Sequence, residues 1–320
     1  MQLGITAVTE ASARPPTSEQ PVSTDERGML LMTAAVIVAP GIHAIAKGLG
    51  DTLPPGEIAW ARFFLQVVFL LPFVWFRHRG RVPPPSLTHF VRGLLVASAV
   101  LSFFWGLTYL PLADSSAIFF VEPLILTVLA ALFLGEPIGW RRVLAVIVGF
   151  VGALLVIRPS FETIGPAALL PLLAAFCFAF YLTITRGLAA KEDGLAMQFW
   201  VSGFAAIALS VALAVGSQTS WPVVQPAWPA GGEWGLLLAL GVVATVSHML
   251  AILAFRRAPA SVLAPFQYLE ILGATVLGVV FFADLPDGLT TLGILIIVGS
   301  GLYVFHRERI AARGAGEQST

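Results

Sequence analysis

Two glutamates, Glu122 and Glu270, each stand about ten residues inside a long apolar stretch, and of the 18 acidic residues they alone lie that deep. At about 1.5 Å per residue, a helix carries each of them close to the middle of a hydrocarbon layer. A carboxylate there costs about 2.5–3.5 kcal/mol on insertion scales, so it faces a cavity or a partner. Two kinds of chemistry suit such a pair. They can bind an amine or other cationic group, or they can take up and release a proton during a cycle, and the residues leave both open. The structural alternative is a protonated glutamate bonded to nearby carbonyls, Pro123 having removed one helix hydrogen bond.

Around these stand weaker candidates. Arg62 lies about five residues inside another apolar stretch, near its outer end. It either snorkels outward or meets a carboxylate, that of Asp114 or one belonging to a substrate. Gln66 follows one helical turn later on the same face. His43 and His248 are each alone in apolar surroundings, which suits a hydrogen-bonded packing residue as well as a functional one. Gln198, Gln267, Tyr181, Tyr268 and Trp105 are candidates for lining a cavity. Cys177 is the only cysteine, so neither an intramolecular disulfide nor a cysteine-based metal cluster exists, and nothing calls for a cofactor or a bound metal.

Positioning these residues requires a membrane. Of the 320 residues 58% are hydrophobic and 11% charged, with a mean hydropathy of +0.89; soluble domains carry about 25% charge. Apolar blocks run Met29–Gly48, Glu57–Phe76, Phe90–Leu110, Leu112–Leu134 and Val143–Ile157, then Ile164–Thr185, Ala196–Gly216, Trp234–Phe255, Ser261–Ala283 and Leu289–Phe305. Most are near the length that spans a bilayer core of about 30 Å. Turn residues separate them at Pro54-Pro55-Gly56, Pro83-Pro84-Pro85, Gly135-Glu136-Pro137, Arg158-Pro159-Ser160 and Leu285-Pro286-Asp287-Gly288. Leu110-Pro111-Leu112 is the tightest join, and nearly fifty apolar residues around it demand two spans. Residues 1–28 read as a disordered polar tail without a cleavable signal, and 307–320 as a second tail.

Fifteen of the 18 Lys and Arg, Arg92 among them, fall on one side of this arrangement; Lys47 and Arg158 fall on the other, and Arg62 within the second span. The positive-inside rule then places both termini in the cytoplasm of a bacterial inner membrane. The loop from Ser217 to Glu233 lacks Lys and Arg, carries tryptophans, and is expected outside.

The chain repeats itself. Phe119-Phe120-Val121-Glu122-Pro123-Leu124 lies over Gln267-Tyr268-Leu269-Glu270-Ile271-Leu272 at an offset of 148, which also carries Glu136 onto Asp284. Residues 29–158 and 159–306 therefore form two five-span repeats, and an odd number of spans inverts the second. The expected fold is all-α and integral to the membrane, with ten transmembrane helices as two inverted five-helix repeats around a central cavity. Inverted repeats are a recurring architecture of secondary transporters. Spans five and ten carry almost no polar side chains and should sit at the periphery, with Gly149, Gly152, Gly299 and Gly301 as close-packing surfaces.

The sequence resembles the drug/metabolite transporter superfamily, specifically its ten-span EamA-type members, from residue 29 to about 306. The resemblance is carried by Leu110-Pro111-Leu112-Ala113-Asp114, Ala117-Ile118-Phe119-Phe120, Glu122-Pro123-Leu124, Gly135-Glu136-Pro137 and Gly149-Phe150-Val151-Gly152, then by Tyr268-Leu269-Glu270 and Gly299-Ser300-Gly301-Leu302-Tyr303. It departs at Ile271, where many members have proline. The resemblance implies alternating-access transport of a small metabolite, with families moving amino acids, nucleotide-sugars, sulfonium compounds, flavins and drugs. Two midplane carboxylates in a neutral chain favour zwitterionic or cationic substrates over phosphorylated ones. The run Phe119 to Leu126 with Gly139-Trp140-Arg141-Arg142 resembles the subgroup containing bacterial flavin carriers.

An integral-membrane enzyme is the rival reading. The sequence offers no H-E-x-x-H site, no G-x-S-x-G elbow and no nucleotide-binding G-x-x-x-x-G-K-[ST] loop. The expected partners are a small-molecule substrate, the lipid bilayer and, in the coupling reading, protons; nucleic acid is not among them.

Overall fold

The structure, a computed structural model, describes residues 26–134, 140–188, 193–255, 257, 263, 266–267 and 269–317. The Gly135-Glu136-Pro137 turn, Lys191, Arg256 and almost all of the amino-terminal tail lie outside the described residues. Every regular element among those described is helical: α1 (Glu26–Val38), α2 (Pro40–Leu49), α3 (Pro55–Arg77), α4 (Leu87–Leu107), α5 (Leu112–Phe119), α6 (Glu122–Leu134), α7 (Trp140–Ile164), α8 (Leu170–Leu188), α9 (Gly194–Gly216), α10 (Glu233–Phe255), α11 (Leu269–Phe282) and α12 (Gly288–Glu317). A short 3₁₀ turn, Gly165–Leu169, joins α7 to α8. Seven helical segments are long and apolar enough to cross a membrane, and three shorter apolar helices accompany them, Val143–Ile157, Leu269–Phe282 and Gly288–Tyr303. A helix suits this setting because it satisfies its own backbone groups where water cannot.

Local sequence sets the ends. Pro40 and Pro55 occupy first-turn positions, where the missing N–H costs nothing. Asp193 caps α9 by accepting the Ala196 N–H at 3.3 Å, and Asp287 caps α12 by accepting the Thr290 N–H at 2.7 Å. Ala283 takes a left-handed φ of 56° directly after α11, turning the chain so that Asp284 faces back along the bundle.

Two expected spans are interrupted. The first breaks at Ala39, ahead of Pro40, and Ser247 of α10 donates to the Ala35 carbonyl at 3.1 Å beside the break. The fourth breaks at Phe120 and Val121, so Glu122 opens a new half-helix instead of lying in mid-helix. Pro123 has no N–H to offer the Phe119 carbonyl, which weakens the helix at that point. Conversely, the turn expected at Arg158-Pro159-Ser160 is absent. α7 runs through it to Ile164, and Gly165, with φ of 79°, makes the turn instead.

The core interleaves early and late elements. α3 packs on α9 and α10, α4 on α8 and α9, α2 on α10 and α11, and α7 on α12. One apolar cluster includes Ile42, Phe63, Phe103, Phe104, Leu112, Val201 and Leu240. A second gathers Ile118, Val121, Ile125, Val156, Ala179, Ile271 and Ile297.

The α7–α12 contact is very close. A Cβ on Gly152 would stand 3.0 Å from the Gly293 carbonyl oxygen, and one on Gly293 would stand 2.7 Å from that of Gly152. Gly149 fits closely against Leu124. Gly299 has nothing within 4 Å, so Gly293 takes the packing role expected of it. Away from this contact, Leu144, Ile147, Leu154, Leu292 and Leu295 are exposed, as suits a lipid-facing surface.

Candidate functional site

α3 carries Arg62 and Gln66 one turn apart into the interior. Arg62 is only 6% exposed, so it does not snorkel outward. Its guanidinium carbon lies 4.4 Å from the Phe63 ring centroid, and its Nη1 is buried with no hydrogen-bond partner. No ion pair joins it to Asp114 among the described residues. The groups within electrostatic reach of its charge are His43, His248 and Tyr181. Gln66 is fully buried. Its Oε1 accepts from Ser202 Oγ at 3.3 Å, and Ser202 accepts from Gln198 Nε2 at 3.4 Å, both on α9.

Arg92, counted with the cationic side of the chain, is on α4 a fully buried residue, 0% exposed. Its guanidinium carbon lies 5.8 Å from the Tyr181 ring centroid. Helical spacing held the signal: Arg92, Val96, Ala99 and Phe103 share one face, and all are buried.

At the other pole, His43 Nδ1 of α2 lies 3.9 Å from Glu270 Oε1, at the first turn of α11. The two poles are joined by a chain of ring contacts. His43 to Phe103, Phe103 to Phe119, Phe119 to Phe178 and Phe178 to Tyr181 have centroid separations of 4.6, 5.3, 5.6 and 5.4 Å. No single one of these phenylalanines could be singled out from the sequence, because 23 of them compete for the role.

The remaining candidates fall elsewhere. Glu122 is buried at the α5–α6 break, and Glu270 lies beside His43 as described above. His248 Nδ1 lies 2.8 Å from the Ala244 carbonyl of its own helix. Gln267 is half-buried with no bond to the cluster, and Tyr268 lies outside the described residues. Trp105 is not central: it lines a pocket of about 370 Å³ with Gly50–Pro55, Thr108, Tyr109 and the loop segment Pro222–Ala227.

Ionic links fasten the two ends. Beside that pocket, Lys47 Nζ lies 2.9 Å from Asp284 Oδ2 and donates to the Leu110 carbonyl at 2.9 Å, while the Leu112 N–H donates to Asp284 at 3.2 Å. The link therefore ties α2, the α4–α5 junction and the end of α11. At the other end, Arg77 Nη2 donates to Asp193 Oδ1 at 3.1 Å, and His78 Nε2 lies 3.3 Å from Oδ2. Partial burial of Asp193 acts against ionisation, but the hydrogen bonds from Arg77 and the Ala196 N–H outweigh it and hold the carboxyl below the usual carboxylate range.

A helical bundle with buried cations, a carboxylate and a ring-lined interior suits a membrane carrier, and comparison with known proteins agrees. The EamA-like transporter family pattern matches residues 26–158 and again 165–305. The chain belongs to the EamA-like transporter family. Its EamA-like relatives include an S-adenosylmethionine uptake transporter of Rickettsia felis, 32% identical over 270 residues that cover 83% of this chain and 88% of that protein. The pseudopaline exporter CntI of Pseudomonas aeruginosa is 31% identical, covering 85% of this chain and 93% of that protein. A riboflavin transporter of Rhizobium johnstonii is 29% identical, covering 88% and 91%. One solved crystal structure matches with a TM-score of 0.59 over 86% of this chain and 95% of that one; at 20% identity this speaks to the fold alone. The EamA-like chain is thus a multi-pass membrane transporter of small molecules and not an enzyme.

Proposed function

We propose that the chain is a secondary carrier of zwitterionic or cationic small metabolites, working by alternating access in a bacterial inner membrane. In this reading ten spans form two inverted five-helix repeats, residues 29–158 and 159–306, with both termini cytoplasmic. Seven long and three shorter apolar helices support the count, and the excess of Lys and Arg on one side supports the orientation. The observation that carries the substrate class is the central cluster itself: Glu270 beside His43, linked through a chain of tilted and edge-on ring contacts to the Arg92–Tyr181 contact. A carboxylate at one pole suits an ammonium or sulfonium group, and the rings between suit an aromatic moiety. S-adenosylmethionine, named for the Rickettsia relatives, has this chemistry. A flavin is the second reading, favoured by the riboflavin-transporting relatives and by the aromatic chain.

Glu122 and Glu270 are used in the cycle, either to hold the cationic group or to carry a proton. The test is uptake into proteoliposomes of a panel of free amino acids, S-adenosylmethionine, polyamines and riboflavin, with and without a pH gradient. At least one of Glu122→Gln and Glu270→Gln loses most transport while inserting normally, since Gln keeps size but cannot ionise. Wild-type rates and unaltered pH dependence in both variants would make the glutamates structural. Failure of wild-type protein to carry any panel member would count against the substrate class.

A further inference from the structure

Resting on that reading, we propose that Arg62 and Gln66 form an anion-binding pole, which takes the carboxylate of an amino-acid-type substrate while its cationic group faces Glu270. The polar atoms that α3 leaves unsatisfied in the interior are both donors: Arg62 Nη1 and Gln66 Nε2 are buried with no hydrogen-bond partner among the described residues. Leaving such an atom unpaired in the interior is costly, more so where the group is charged, and a buried guanidinium without a carboxylate is costlier still. Two donors one helical turn apart match the two oxygens of a carboxylate. Gln66 already accepts a hydrogen bond from Ser202 through Oε1, and its amide N–H is the donor left unpaired among the described residues.

The surroundings strengthen the field. Arg92, 5.8 Å from the Tyr181 ring centroid, and Arg62 both lie within electrostatic reach of its phenol. No carboxylate forms an ion pair with Arg62 among the described residues. Glu270 lies beyond His43, and His43 itself feels the Arg62 charge. Donors and acceptor are therefore segregated, and a molecule bearing both charges binds in one direction. A purely cationic substrate would leave the donors unsatisfied and meet repulsion from Arg62.

The experiment compares each zwitterion of the panel with its primary carboxamide, in wild type and in Arg62→Gln, by uptake and by thermal stabilisation of purified protein. A charge-assisted hydrogen bond predicts an acid-over-amide preference of about tenfold or more in KM for wild type, shrinking to less than about threefold in Arg62→Gln. Without substrate, Arg62→Gln should melt at or above the wild-type temperature, because a buried unpaired charge has been removed. A role in packing alone would lower the melting temperature and leave the preference intact, which overturns the proposal. Transport of polyamines or riboflavin alone, undiminished in Arg62→Gln, leaves the carrier reading standing and also overturns it. If nothing is carried, the substrate class falls separately, and the absence of any acid-over-amide stabilisation then refutes the anion pole as well.

Discussion

Alanine at Gly293, Gly152 and Gly299 turns the α7–α12 seam into a quantitative test. In a helix, Gly→Ala gains about 1 kcal/mol through backbone entropy and propensity. That gain is opposed by whatever the new methyl meets. At Gly299 it meets nothing within 4 Å, so the full gain survives. At Gly152 it meets Ile296 Cγ2 at 2.9 Å and the Gly293 carbonyl oxygen at 3.0 Å; this overlap is a few tenths of an ångström smaller than at Gly293, and the two effects roughly cancel. At Gly293 it meets Val156 Cγ2 at 2.5 Å and the Gly152 carbonyl oxygen at 2.7 Å. The valine is β-branched and fixed in its rotamer, and the carbonyl is backbone, so the helices must separate. Overpacking of this kind costs about 1–3 kcal/mol, leaving a net loss of up to about 2 kcal/mol. Melting of purified protein in detergent, followed by tryptophan fluorescence, should rank the variants Gly299→Ala above wild type, Gly152→Ala near it and Gly293→Ala below. Substrate affinity of the surviving protein should not change. A Gly293→Ala variant as stable as Gly299→Ala would refute the close packing, and altered affinity in well-folded protein would move this seam to the substrate path.

Other outcomes follow from the ends of the bundle. In a Cys177→Ser background, Lys47→Ala should speed thiol labelling of Leu110→Cys, whose carbonyl Lys47 now holds; an unchanged rate would mean the Lys47–Asp284 link does not close that end. Asp193→Ala should destabilise by about 1 kcal/mol through the lost cap, and Asp193→Asn by less, since asparagine also caps. Because the folded carboxyl is held below its ordinary value, its stabilisation is complete above about pH 4 and fades as pH falls through the folded value; the stability gap between wild type and Asp193→Asn should close in acid, and a gap that widens would reverse the sign. Accessibility labelling should find Gly80→Cys reactive from the cytoplasmic side and Gln225→Cys from outside, and external labelling at position 80 would overturn the orientation.

Hydropathy and turn residues made the apolar helices legible, because burial in hydrocarbon writes itself as composition. Breaks within a span leave no such trace: Phe120 and Val121 are as apolar as their neighbours, and Pro123 is visible without saying whether the helix bends or parts. Pro159 misled in the opposite direction, since a membrane helix tolerates proline when neighbours re-satisfy its carbonyls. Position along the chain shows Arg92 only as one more charge near a helix end, while its burial is decided by the face it shares with Phe103. The Lys47–Asp284 link joins residues more than two hundred positions apart, and pairing at that range has no local signature.

The meeting of Gly152 and Gly293 also constrains how the molecule can move. Where two backbones touch through a carbonyl and a bare Cα, with Val156 and Ile296 set on either side, neither helix can slide along the other without driving a side chain into main chain. Turning about the line of contact displaces far less. α7 lies at the end of the first family-matched segment and α12 at the end of the second, so relative movement of these two helices is confined to rotation about the line on which they touch.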